Sequence, residues 1–227
     1  MKLYLLRYGA FPDGTPVVGY LIQTDDGTNL LIDTGFPRGW SGEDLFVVDR
    51  LVTIGVAPQD IHYLICTHLD IDHAGGNDEF PGAELVVQRA HYAVAKVDPR
   101  FDTLLGIPFR AHWDRPELRY RLVDGDTELL PGIELLETSG HVPGHQSVLV
   151  RLPRTGAVLL AVDAIKHADQ VDPETRSVNQ YDMDEAALRA STRKLVTLAE
   201  REGVGLIVFG HDKRQWQTLK VAPAYYD

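Results

Sequence analysis

The chain predicts a mixed α/β fold, and three observations carry that expectation. Short runs of β-branched and aliphatic residues, each bounded by Gly, Pro, Asn or Asp, recur along most of the sequence. Two segments repeat their apolar residues at helical period instead. Strands and helices are interspersed rather than segregated, which favours layered sheets with helical cover over an all-β fold.

Taken in order, strands are expected at Lys2–Arg7, Val17–Thr24 and Asn29–Asp33, with Asp25-Asp26-Gly27 turning the chain between the last two. A helix is expected from about Ser41, whose hydroxyl can cap it, through Leu45, Val48 and Leu51 or Val52 to Gly55. Pro58 separates it from a strand at Ile61–Thr67. Further strands are expected near Glu84–Gln88, Ile133–Glu137, Ser147–Leu152, Val158–Val162 and Leu206–Phe209, with an irregular aromatic stretch around Phe101–Trp113. The clearest helix is Met183–Glu202. Asp182 and Glu185 have capping-box spacing, Ala187/Leu188, Leu195 and Leu198/Ala199 recur at helical period, and Gly203 can end it.

Glycine and proline are spread over the 227 residues and no biased run marks a linker, so residues 1–227 are expected to fold as one domain. With 44% hydrophobic and 24% charged residues the composition is that of a soluble globular protein. The net charge of -11 and the lack of a Lys/Arg cluster disfavour nucleic-acid binding, which depends on cation–phosphate contacts. No stretch approaches the roughly 18 apolar residues of a membrane span, and the start has too brief an apolar run for a secretory leader. A cytoplasmic protein is expected. Cys66 is the single cysteine, which precludes an internal disulfide and suits a reducing compartment.

Polar clusters follow directly on expected strands: His68 after Ile61–Thr67, His141 after Ile133–Glu137, Asp163 after Val158–Val162 and His211 after Leu206–Phe209. Loops leaving a rigid sheet are where functional side chains concentrate. In His68-Leu-Asp-Ile-Asp-His73, His68 and Asp70 supply donors on one side of an extended loop, while Asp72 and His73 can face the other. Imidazole and carboxylate both bind divalent cations, and a two-ion site needs several such donors plus a bridging oxygen. His141 or His211 alone would read as a histidine satisfied by hydrogen bonds. Together and in this order they point to a metal centre, and Asp163, straight after an apolar run, would be costly to bury without a cation. Asp33, in Asp-Thr-Gly, reads as turn-forming or as a brace for a ligand. Ala74-Gly75-Gly76 suits close backbone approach beside the ions.

These motifs, LIDTG at Leu31–Gly35, THLDIDHAGGN at Thr67–Asn77, TSGHVPGHQS at Thr138–Ser147, AVDA at Ala161–Ala164 and FGHD at Phe209–Asp212, resemble the metallo-beta-lactamase superfamily. Within it, VQRAHY at Val87–Tyr92, PGHQS and FGHD are similar to the N-acyl homoserine lactonase group. The resemblance implies an αββα sandwich of two mixed sheets flanked by helices. It also implies two divalent metal ions, one held by His68, His141 and position 70, the other by Asp72, His73 and His211, with Asp163 bridging. The family pattern has histidine where this chain has Asp70. An aspartate is a harder, charged donor, which should move preference from zinc toward iron or manganese.

The resemblance implies hydrolysis of a small lactone or ester by a metal-bridging hydroxide, with Asp72 carrying a proton to the leaving alkoxide. In lactonases a tyrosine three residues past the bridging aspartate helps hold the substrate carbonyl. Here that residue is Lys166, and two readings stand: a charge that serves an oxyanion, or a side chain turned to solvent. The expected partner is a small-molecule lactone or ester, with neither nucleic acid nor membrane, and a homodimer is held open. Two other functions compete: an iron oxidoreductase acting on a thiol or oxygen species, and a metal-binding protein without efficient catalysis. His145 is expected to orient a loop. His62, His91, His112 and His167 are expected at the surface or in packing, with His167 the one that could line the substrate side. Phe101, Phe109, Trp113 and Trp40 are expected in the core.

Overall fold

A computed structural model describes residues 1–40, 46–104 and 107–227. The chain begins with β1 (Lys2–Ala10), β2 (Pro16–Gln23) and β3 (Asn29–Ile32), a meander whose second turn has Gly27 at φ +88°. From β3 the strands run parallel through β4 (Tyr63–Ile65) to β5 (Glu84–Gln88). β6 (Thr103–Leu104) and β7 (Ile107–Pro108) form a small ribbon, and β8 (Arg119–Val123) closes the first sheet in the order β1-β2-β3-β4-β5-β8. The second sheet contains β9 (Thr127–Leu130), β10 (Ile133–Glu137), β11 (Gln146–Leu152), β12 (Gly156–Val162) and β13 (Leu206–Phe209), in the order β13-β12-β11-β10-β9.

Parallel strands need crossovers, and these supply the helical layers. α1 (Val47–Val52) links β3 to β4, and α2 (Ile71–Ala74) links β4 to β5. α3 (Arg89–Ala95) and α4 (Arg110–Trp113) lie between β5 and β8, and α5 (Glu185–Glu202) links β12 to β13.

The side-chain alternation of the strands builds the layers. In β1, Leu3 and Leu5 join the core between the sheets, while Tyr4, Leu6 and Tyr8 face a second core beneath α1 to α4. In the second sheet, Val148, Val150, Val158, Leu160 and Val162 meet the first sheet, while Leu149, Leu159 and Ala161 pack against Leu195, Leu198 and Ala199 of α5. Three cores separated by two sheets give the αββα sandwich that the resemblance implies. Phe101, Phe109 and Trp113 are buried, as expected of core residues, and Trp40 packs partly buried against the same core. Among the described residues no helix is long and apolar enough to cross a membrane.

Several local expectations are corrected. α5 starts at Glu185 with Asp184 as its cap, its carboxylate accepting from Ala187 N at 2.9 Å; Asp182 is engaged elsewhere. The strand expected over Ile61–Thr67 is confined to Tyr63–Ile65. Strands β8 and β9 and helix α3 were not anticipated. The expected start of the first helix, with Ser41 as cap and Leu45 inside it, lies outside the described residues. Gly75 serves the fold rather than the ions, because a Cβ there would lie 2.3 Å from Pro37 N.

Candidate metal centre

Five strand ends converge on one edge of the sandwich. Asp33 follows β3, His68 β4, His141 β10, Asp163 β12 and His211 β13, each beyond the C-terminal end of its strand. Asp70 is the extended residue before α2, at φ -68° and ψ 155°, and Asp72 and His73 lie within that helix. The change from extended to helical backbone sends the two aspartates to different partners. Asp70 Oδ2 lies 3.3 Å from His141 Nε2 and 3.7 Å from His68 Nε2. Asp72 Oδ2 lies 3.4 Å from His73 Nε2 and 3.7 Å from His211 Nε2.

The structure thus gathers all seven expected ligands. One donor atom each from His68, His141 and Asp163 lies within 4.8 Å of the others, and the same holds for Asp72, His73 and His211. Asp163 faces both groups: its Oδ2 is 3.5 Å from His141 Nε2, and its Oδ1 is 3.1 Å from His211 Nε2 and 3.4 Å from His73 Nε2.

Hydrogen bonds fix each imidazole from behind. His73 Nδ1 donates to Asp33 Oδ2 at 2.8 Å, His141 Nδ1 to Asp182 Oδ1 at 2.9 Å, and His211 Nδ1 to the Pro16 carbonyl at 2.9 Å. Thr67 Oγ1 donates to Asp33 Oδ2 at 2.6 Å, leaving its lone pair for His68 Nδ1 at 3.1 Å. A proton on every Nδ1 leaves every Nε2 lone pair directed inward, the tautomer a ligating histidine needs. His68 Nε2, His73 Nε2 and Asp163 Oδ1 are buried without a hydrogen-bond partner. Such atoms are costly unless something satisfies them, and all three point into the cluster. These donors fit divalent cations.

The electrostatics agree. Burial lowers the pKa of His73, yet the charges of Asp72, Asp163 and Asp33 outweigh it and push His73 well above the usual imidazole range. Burial likewise opposes protonation of His211, and Asp163 reverses the sign. Burial would raise Asp163, but the charges of His211 and His73 hold it well below the usual carboxylate range. The carboxylates draw positive charge toward the centre from whatever can carry it.

Backbone geometry aims these groups. Asp33, at φ 56°, and Val162, at φ 50°, occupy the left-handed region, which is strained for a β-branched residue such as Val162. The β12–β13 register shifts between Leu160 and Val162, so the strand kinks immediately before Asp163. Gly210 permits the approach of β13, since a Cβ there would meet Val162 O at 2.8 Å. At Gly140, with φ 139°, a Cβ would lie 2.2 Å from Leu188 N, so α5 rests on the backbone that presents His141.

Lys166 does not turn to solvent. It is buried, with Nζ 3.0 Å from Asp182 Oδ1, 3.2 Å from His141 Nδ1 and 3.8 Å from Asp163 Oδ2. The lysine and the imidazole N–H converge on the same Asp182 oxygen. His145 orients loops as expected, with Nδ1 2.8 Å from Thr138 Oγ1 and Nε2 accepting from Asp163 N at 3.3 Å. His91 has more than a packing role: its Nε2 accepts from Leu69 N at 2.8 Å and its Nδ1 donates to Pro143 O at 3.0 Å, tying together the loops of His68 and His141. His62 accepts from Asn29 N, His112 meets Asp78, and His167 is partly exposed.

Sequence reasoning missed two residues. Asp182 braces His141 from 41 positions away, and Arg100 places Nη2 2.7 Å from Asp70 Oδ2. A carboxylate in excess of what the α5 cap needs was the one signal for Asp182; Arg100 had none.

This fold and this donor set are those of a metal-dependent hydrolase. It belongs to the metallo-beta-lactamase superfamily, whose family model matches residues 12–211. It is 34% identical to an N-acyl homoserine lactonase of Bacillus cereus, over 92% of this chain and 86% of that protein. It is 36% identical to an N-acyl homoserine lactonase of Azorhizobium caulinodans, over 89% and 81%. Among solved structures, a quorum-quenching N-acyl homoserine lactone hydrolase superposes with a TM-score of 0.87 at 30% identity, covering 99% of this chain and 98% of that one. Another, with N-hexanoyl-L-homoserine bound at its catalytic metal centre, gives 0.85 at 28% identity, covering the same shares.

Proposed function

We propose that this chain opens lactone rings at a centre of two divalent cations, with N-acyl homoserine lactones as leading substrates. One observation carries the reading: the two oxygens of Asp163 address separate donor groups, as a bridging carboxylate requires. His68, Asp70 and His141 would hold one ion, and Asp72, His73 and His211 the other. Bound there, the pair supplies Lewis acidity and a hydrolytic water ionised near neutral pH. The chain supplies the rest. Asp72, at the partly exposed rim, accepts the proton released during attack and returns it to the leaving alkoxide. Lys166, held against Asp182 three residues past Asp163, brings an ammonium to the wall where the carbonyl oxygen gains charge. Asp70 shifts the preferred ion toward iron or manganese. The setting is the cytoplasm, and a homodimer is compatible with the reading.

The test is a panel of lactone, ester, thioester and phosphodiester substrates offered to protein loaded separately with zinc, manganese and iron. Close to two ions per chain, lactone turnover and its loss on chelation are the expected outcome. Activity in metal-free protein would end the proposal. Oxygen uptake with a thiol and no lactone turnover would replace it with the oxidoreductase, and metal uptake without turnover with the binding protein.

A further inference from the structure

We infer that Arg100 is the counter-charge of Asp70, cancelling the negative charge that an aspartate at this position adds to the cation site shared with His68 and His141. The inference rests on the proposed metal centre and concerns how tightly that site holds its ion. The Asp70 oxygen nearest both histidines is the one that meets the guanidinium, at 2.7 Å. The arginine is not a free surface side chain that happens to lie close. Its single helical turn, Pro99–Phe101, is capped by Asp98, which accepts from Arg100 N at 2.9 Å, and anchored by the buried Phe101, whose ring packs on that of His91 at 5.2 Å. Arg100 Nη1 donates to Tyr181 O at 2.7 Å, next to Asp182. Asp182 in turn meets Lys166 and His141. Asp70 pairs with Arg100 and Asp182 with Lys166 beside His141, so that of the three carboxylates against this histidine only Asp163 adds net charge, as it would with a neutral residue at position 70.

A guanidinium bonded to a ligand oxygen repels an incoming cation and shares the lone pairs of that oxygen. Arg100 therefore lowers ion affinity at this site while keeping Asp70 in place. The test compares the full-length chain with Arg100→Met, Asp70→His and the double variant, each loaded with Mn2+ and titrated with a chelator of known affinity while retained metal is counted. Arg100→Met is expected to strengthen Mn2+ retention at this site by roughly tenfold, as loss of a positive charge a few ångströms from a divalent ion does, and to have a smaller effect in the Asp70→His chain, where no ligand lone pair is shared with the guanidinium. Arg100→Lys, which keeps the charge, should stay close to the parent. Weakened or unchanged retention in Arg100→Met would overturn the inference, as would the same strengthening in both backgrounds. Near-ultraviolet dichroism confirms that each variant is folded. Failure of the parent to take up any metal would remove the centre and the counter-charge together, whereas normal uptake with indifferent variants would remove the counter-charge alone.

Discussion

The two halves of the candidate metal centre are braced in different ways. Around Asp72, His73 and His211 the supports lie in the core: the carboxylate of Asp33, 1% exposed, and the Pro16 carbonyl at the start of β2. Around His68, Asp70 and His141 they are largely charged side chains on loops, namely that of Arg100, 24% exposed, and the buried pair of Asp182 and Lys166. The core-side braces are shared with folding, since Asp33 also accepts Thr67 N and joins β3 to β4. The loop-side braces adjust charge at little cost to the sandwich. Damage to the first half should therefore appear as lost stability, and damage to the second as altered metal binding.

The largest effect should come from the residue both halves share. Asp163→Asn is expected to reduce lactone turnover to background and to release metal from both groups, as read by metal content and a lactone assay. Next, Asp33→Ala leaves His73 and Thr67 without their acceptor in the core and should cost about 3–5 kcal/mol in urea unfolding, in addition to its effect on metal. An unchanged midpoint would show that this side is not built into the fold.

His91 gives the comparison a pH dependence. Burial lowers its pKa from the ordinary 6.5 to about 4, so it folds neutral. The unfolded chain binds its proton first as pH falls. The stability from a neutral His91 is thus complete above about pH 6.5 and lost progressively down to about pH 4, on the order of 3 kcal/mol in all. Stability curves for the parent and His91→Gln should converge over this window, and parallel curves would remove His91 from the account. A smaller effect on folding than that of Asp33→Ala is expected from Asp182→Asn, which loses the charge opposite Lys166 but keeps an oxygen that accepts from both His141 and the Lys166 ammonium. It should weaken metal retention by about ten- to a hundredfold while moving the urea midpoint much less than Asp33→Ala does.

The candidate ligands were legible in the sequence because four of them sit within six residues and the others directly follow strong strand patterns. Their braces were not. Asp182 reads locally as a helix cap, since the run Asp182-Met-Asp-Glu185 offers two capping carboxylates and the pattern cannot say which one the fold draws to a histidine 41 residues away. Arg100 occupies an aromatic stretch without periodicity. Strands β8 and β9 escaped for a different reason: they are the outermost strands of their sheets, and their Arg119, Arg121 and Glu128 interrupt the apolar pattern, as suits exposed edges. The inner strands, buried on both faces, announced themselves.

Val162 is both a wholly buried plug of the core between the sheets and the strained residue that aims Asp163. Its backbone cannot relax without dragging its isopropyl group out of that core, so packing among Leu160, Val208 and their neighbours sets the direction of a carboxylate at the rim. Conservative repacking of these positions, tolerated by the sandwich as a folded object, would therefore be felt first as misalignment of the centre. Catalytic rate should serve as a finer gauge of core integrity than the melting temperature, and selection on activity would police the interior as closely as the active site itself.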